Sequence, residues 1–158
     1  YTGKIGNLAR PGIAMYGIDP LNKDKTLQPA LSFSSTLVQI KDLDKGESSG
    51  YDFTFKAKKK MRIGVVAAGY NDGIDRRFSN NGFMKIGETY CQIIGRVSMN
   101  VTMIDVSSAK NPAIGDRVVV YSSTLSDKNS LNKAAFAIDT IAYDLLVKLA
   151  APTRRILV

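Results

Sequence analysis

The sequence predicts a mainly β protein, closed or sandwiched, with two short helices near its end and a helix-start loop at its front. Three observations carry that expectation. Short apolar segments recur between residues 30 and 121, separated by turn residues. Several of them alternate apolar and polar residues with the period of two that a half-buried strand shows. Helical spacing enters only after residue 130, apart from the loop at the front. A chain of 158 residues is long enough to enclose one core.

The front segment, "NLARPGIAMYG" (residues 7–17), reads as a loop running into a helix, with Pro11 as its first helical residue. Bare amides at such a start suit an anion. "IDPLNKDKTLQP" is a polar connection, and "ALSFSSTLVQIKDL" is the first strand, alternating around Leu31, Phe33 and Ser35, then Leu37 and Gln39. "YDFTFKA" is expected as a second strand, with Tyr51, Phe53 and Phe55 forming an apolar stripe on one face. "KAKKK" (56–60) reads as an exposed hairpin end leading to the buried strand "RIGVVAAGYNDG". "FMKIGETYCQIIGRVSMN" is a hairpin turning at Gly87–Glu88, and "VTMIDV" and "RVVVYS" are two further strands, the latter introduced by the Gly115–Asp116 turn. Ser130 is placed to cap a helix through Phe136, and Asp139 or Thr140 to cap "TIAYDLLVKL", whose Ile141, Leu145 and Leu149 share a face. Pro152 stops that helix, and "RRILV" reads as a closing strand.

Composition narrows the chemistry. The chain has no histidine, so imidazole acid–base chemistry and His-based triads or metal sites are excluded. One cysteine, Cys91, permits no internal disulfide and fits a reducing compartment, so a cytoplasmic location is expected. No metal-ligand spacing is present, so no metal is expected. No apolar run approaches the ~20 residues of a membrane span. A net charge of +8 suits either a nucleic-acid surface or a solvated face favouring small anions.

Four stretches in order, "RPGIAMYG" (10–17), "GYDFTF" (50–55), "GYNDG" (69–73) and "GRVSMN" (95–100), resemble the alanine racemases, and "DTIAYDLL" (139–146) followed by "PTRRILV" is similar to the end of that family. The resemblance implies a closed β-barrel-like C-terminal domain over residues 21–158, preceded by residues 1–20 as the last strand–helix loop of a (β/α)₈ barrel. It also implies that the Schiff-base lysine lies outside these residues. The 158-residue piece alone is then expected to be inactive, with residues 1–17 poorly packed.

The implied cofactor is pyridoxal 5'-phosphate (PLP), and the implied reaction is interconversion of L- and D-alanine by two bases on opposite faces of one carbon. By resemblance, Arg10 faces the pyridine nitrogen, Gly12 and Ile13 offer backbone amides to the phosphate, and Tyr143 donates its hydroxyl to it. Tyr51 takes the place of the tyrosine base and reaches across a homodimer interface into the partner's site. Tyrosine titrates near pH ~10 in water, so such a base needs positive charge or strong hydrogen bonds nearby. Tyr70 matches a residue lining substrate access, and Met99 one whose backbone amide nears the substrate carboxylate. Asn100 stands where the family usually has Asp, which keeps size and hydrogen bonding but removes a charge.

Two rivals stay open within the racemase class, a serine racemase and a racemase of broad specificity. Outside that class, the chain could be a basic β-barrel that binds nucleic acid, or a purely structural dimerisation domain. Exposed aromatic rings beside basic residues would favour nucleic acid. The stripe of Tyr51, Phe53 and Phe55 reads instead as core, so no nucleic acid and no membrane are expected as partners.

Overall fold

A computed structural model describes residues 7–8, 10–21, 23–24 and 26–157. Its centre is a closed six-stranded barrel. The strands are β1 (Phe33–Leu43), β4 (Met61–Val66), β5 (Phe83–Ile86), β6 (Thr89–Ile94), β7 (Thr102–Asp105) and β8 (Arg117–Tyr121), around the barrel in the order β1-β4-β7-β6-β5-β8. All neighbours are antiparallel. The eleven residues of β1 let one strand serve two partners: Phe33–Thr36 pairs with β8 and Leu37–Leu43 with β4. A register shift between Leu37 and Gln39 bends the strand where it changes partner. The β5–β6 hairpin turns at Gly87–Glu88 as expected, with Ile86 paired to Thr89.

Apolar side chains fill the interior. Leu37, Val66, Met84, Cys91, Ile104 and Val118 have no exposure. Gly64 makes room for them, since a Cβ there would stand 2.6 Å from Leu37 Cδ1. Burial also pushes the Cys91 thiol up to about 11, which leaves it a packing group. A second, smaller cluster of Leu43, Ala57, Met61, Ile63 and Ile94 is separate from it, with Phe55 and Met103 packed against it. Helices α1 (Leu131–Ala137) and α2 (Ala142–Val147) add Leu131, Ala134, Ala142 and Leu145 to the main core.

Several elements differ from expectation. The stretch expected as a strand over 51–57 is a turn: Tyr51–Phe53 forms a 3₁₀ turn with Asp52 at φ 61° and Phe53 at φ 49°. Two successive residues at positive φ cancel the alternation, so Tyr51 (69% exposed) and Phe53 (76%) are not core residues. Only Phe55–Lys56 (β3) is extended, and it pairs with Ser48–Ser49 (β2). "KAKKK" therefore links β3 to β4 and is not the tip of a hairpin between paired strands. Ser130 occupies the N-cap position of α1, yet its hydroxyl makes no cap bond. Helix α2 starts later than expected, because Thr140 Oγ1 bonds Asp144 Oδ2 (3.0 Å) and Asp139 turns at φ 54°. Residues 154–157 form no strand; Val158 lies outside the described residues.

At the front, Pro11 precedes a 3₁₀ turn, Gly12–Tyr16, instead of opening an α-helix. Expectations for residues 1–6 and 9 lie outside the described residues. The described part of residues 1–17 is mostly exposed, Leu8 and Met15 included, and is held at a few points: Ile13 joins the main core and Tyr16 O accepts from Ala30 N at 3.0 Å. Gly17 is required there, since at φ 70° a Cβ would overlap the carbonyl of Gln28.

Candidate active site

The residues expected to act fall into two groups on the barrel. The first is built where the Gly12–Tyr16 turn meets α2. Gly12 has φ 56°, and a Cβ on it would stand 2.6 Å from Tyr143 Oη, so only a bare backbone lets the hydroxyl come this close. Ile13 anchors the turn by burying its side chain (7% exposed), which leaves its backbone at the turn's start. Arg10 is exposed two residues earlier. Tyr143 is 42% exposed at the first turn of α2 and shares a cleft of about 1000 Å³ with Ile13, Phe78, Tyr121 and Phe136. Arg10, the amides of Gly12 and Ile13, and the Tyr143 hydroxyl are all hydrogen-bond donors, and none is a carboxylate. That set fits a phosphate-bearing group.

The second group is built from three loops laced together. Gly50 (φ 86°) packs on Gly95, where a Cβ would lie 3.3 Å from Arg96 N and 3.4 Å from Gly95 Cα. This contact fixes the base of the turn that presents Tyr51. Arg96 Nε pairs with Asp52 Oδ2 at 3.3 Å, and Asn80 Oδ1 accepts from Gly95 N at 2.7 Å. From the same loop, Ser98 O accepts from Tyr70 N (2.9 Å) and Met99 O from Asn71 N (3.0 Å). Gly69 is pressed against Ser98 and Met99, and Asp72 Oδ2 accepts from its amide at 2.9 Å. Tyr51, Tyr70, Met99 and Asn100 are all exposed at these loops, and Arg76 lies over the Tyr70 ring at 5.7 Å. Among the described residues, no hydrogen bond or ion pair joins this group to Gly12, Ile13 or Tyr143.

A feature missed in the sequence lies between the groups. Asp75 and Arg77 on the loop after Tyr70 meet Asp144 and Lys148 of the α2 segment. Arg77, followed by Lys148, holds the Asp75 carboxyl far below the usual carboxylate range despite its burial. Lys148, then Thr140 and Arg77, lowers Asp144 as well. The spacing of Asp144 and Lys148 is a helical i,i+4 pair visible in the sequence, but their partners lie 67 and 73 residues away. Asp127 is a second buried carboxylate, lowered mainly by Ser122 Oγ (2.7 Å) and also by Tyr90 Oη (2.7 Å) and Lys85, and it ties β5 and β6 to the loop before α1.

The exposure of Tyr51 and Phe53 removes the argument that their alternation makes them core. Exposed rings beside Lys56 and Lys58–Lys60 are a feature nucleic-acid barrels also have. Comparison with known proteins bears on the choice. Residues 30–157 match the family model described as alanine racemase, C-terminal domain. The chain is 38% identical over 154 residues to the alanine racemase of Lactobacillus gasseri, covering 92% of this chain and 40% of that protein. It is 37% identical over 166 residues to the alanine racemase of Brucella canis, covering 96% of this chain and 41% of that protein. The biosynthetic alanine racemase of Pseudomonas aeruginosa superposes with a TM-score of 0.84 at 32% identity, over 92% of this chain and 40% of that one. The alanine racemase of Bartonella henselae, solved with covalently bound pyridoxal phosphate, gives a TM-score of 0.85 at 28% identity, over 93% of this chain and 40% of that one. The chain thus spans about two fifths of the length of these relatives.

Proposed function

Since this chain belongs to the alanine racemase C-terminal domain family, we propose that it forms part of a PLP-dependent alanine racemase, supplying cofactor-side groups to one site and a base to another. The observation that carries the reading is the separation of the site residues into two clusters. Donors suited to a phosphate gather around Gly12 and Tyr143, while exposed Tyr51, Tyr70 and Met99 stand on other loops. Two copies of the chain around a two-fold axis would let each complete the other's site, the arrangement the family resemblance implies.

When bound, PLP supplies an electron sink that makes the substrate's α-proton removable. Everything else falls to side chains and backbone. The amides of Gly12 and Ile13 and the hydroxyl of Tyr143, which lies against the Gly12 turn, would donate to the phosphate and orient the cofactor. The Arg10 guanidinium, which has donors and no acceptor, would donate to the pyridine nitrogen and accept nothing from it. Tyr51 Oη takes or returns the α-proton on one face. Its mount is rigid, because Gly50 is wedged on Gly95 and Asp52 is tied to Arg96. Tyr70 and the Met99 backbone flank substrate access. With Asn100 in place of Asp, that approach carries one negative charge fewer.

The test is direct. The full-length protein carrying this chain is incubated with PLP and L-alanine, and D-alanine is followed by chiral chromatography, with L-serine in parallel. PLP-dependent D-alanine formation supports the reading. Turnover of serine alone would move the protein to the neighbouring specificity, and no turnover of either, with PLP bound, would refute a racemase role.

A further inference from the structure

Four charged side chains remain outside the roles given above, and they sit between the two clusters. Arg77 Nη2 lies 2.8 Å from Asp75 Oδ2 and 2.7 Å from Asp144 Oδ2. Lys148 Nζ lies 2.5 Å and 2.8 Å from the same two oxygens. Each cation touches both anions, so neither carboxylate is released by the rotation of one side chain. We infer that Asp75, Arg77, Asp144 and Lys148 form a positioning brace that holds the Tyr143 hydroxyl against the Gly12 turn. The inference rests on the reading of Tyr143 as a cofactor-binding residue.

Helix α2 needs such a brace. It has six residues and no side-chain N-cap, so its own hydrogen bonds do not set its orientation. Tertiary ties must do so. Leu145 is fully buried on one side, but Tyr143 is 42% exposed, so packing alone does not lock its ring. The residue that follows it, Asp144, is the one gripped by Arg77, Lys148 and Thr140. The helix end is also seated by Gly73, where a Cβ would come 2.9 Å from both Lys148 O and Leu149 Cα. Isolated surface pairs contribute little. Here, though, the Asp75 side chain is only 9% exposed, and it further accepts from Arg77 N (2.9 Å) and Nε (3.0 Å). The brace carries two anions and two cations, so it fixes the helix without adding net charge beside an anionic phosphate. Its other end belongs to the loop that carries Tyr70, which joins the mount of one group to the mount of the other.

The test uses the full-length protein and reads cofactor affinity instead of turnover. Apo protein is titrated with PLP, following the absorbance of the bound cofactor, for wild type, Lys148→Met, Lys148→Arg, Tyr143→Phe and the double variant Lys148→Met/Tyr143→Phe. Lys148 is partly exposed and lies at the helix end, so Lys148→Met leaves the core intact. We expect Lys148→Met to weaken PLP binding about 3- to 10-fold, and Lys148→Arg to restore most of it. In the Tyr143→Phe background, Lys148→Met should cost no further affinity. An equal loss in both backgrounds would overturn the inference, because the brace would then act on the site by another route. A lowered melting temperature with unchanged PLP affinity would overturn it too, and leave the brace as packing. If Tyr143→Phe binds PLP as wild type does, the cofactor role of Tyr143 itself fails, which is a distinct result.

Discussion

Gly12 shows how far one residue decides the candidate site. Its φ of 56° lies in the left-handed region, and the space a Cβ would fill is taken by Tyr143 Oη. Gly12→Ala should therefore act twice. The backbone term costs about 1–2 kcal/mol, and the new methyl displaces the hydroxyl from its place beside the turn. The expected outcome is a modestly lowered melting temperature with a disproportionate loss of PLP affinity, measured by thermal melts of apo protein and by cofactor titration. Unchanged affinity would separate Gly12 from the phosphate. Tyr51 makes the opposite case, for a side chain held by its neighbours' backbone. Its ring is largely exposed, so little stability depends on it, while Gly50 and the Asp52–Arg96 pair hold its turn in place. In sequence the same residue alternates with Phe53 and Phe55 as a core strand would. Nothing in the residue types reveals that Asp52 and Phe53 adopt positive φ. Local pattern thus gave the wrong environment for Tyr51, and the role proposed for it rests on the family motif around it.

Among elements, what the sequence made legible is what local chemistry determines. The β5–β6 hairpin was readable because Gly87 sits where the turn needs positive φ, between two alternating segments. The division of β1 between two partners was not, because it depends on barrel closure. Nor was the brace, whose Asp75–Lys148 and Arg77–Asp144 contacts span most of the second half of the chain. The brace also has a pH signature. Both of its carboxyls lie below their unfolded value near pH ~3.9. A depressed carboxyl contributes stability that is present above the unfolded pKa and is lost as pH falls through the folded one. Melting temperature should hold above pH ~5 and drop steadily below pH ~4. Asp75→Asn should melt lower than wild type at neutral pH, and the two curves should converge in acid. Parallel curves from neutral pH to strong acid would mean that the Asp75 charge does not support the fold.

For the whole molecule, the six strands of the barrel close on one another without a free edge, and Tyr51, Phe53 and Tyr70 are exposed on the turns between strands. Among the described residues, no helix is long and apolar enough to cross a membrane. If the two clusters serve two different sites of a dimer, variants damaged in different clusters should complement. Tyr51→Phe and Gly12→Ala full-length proteins, each impaired, are unfolded together, refolded as a mixture and assayed for D-alanine. Mixed dimers would carry one site with neither defect, so the mixture should exceed both parents. A mixture no more active than the average of the parents would place both clusters in one site within a single chain.

In the proposed mechanism Tyr51 Oη is the base for one face of the substrate carbon. Tyr51→Phe in the full-length protein removes that oxygen and keeps the exposed ring, so the melting temperature should scarcely move. Racemisation should fall by about 10²–10⁴-fold, the usual worth of a general base. The measurement that isolates the face is α-proton exchange in deuterated water, followed by NMR on D- and L-alanine separately. One enantiomer should keep exchanging through the base on the other face, while exchange of its mirror image collapses. Equal residual exchange of both enantiomers, with a lowered melting temperature, would contradict the account and leave Tyr51 a structural residue.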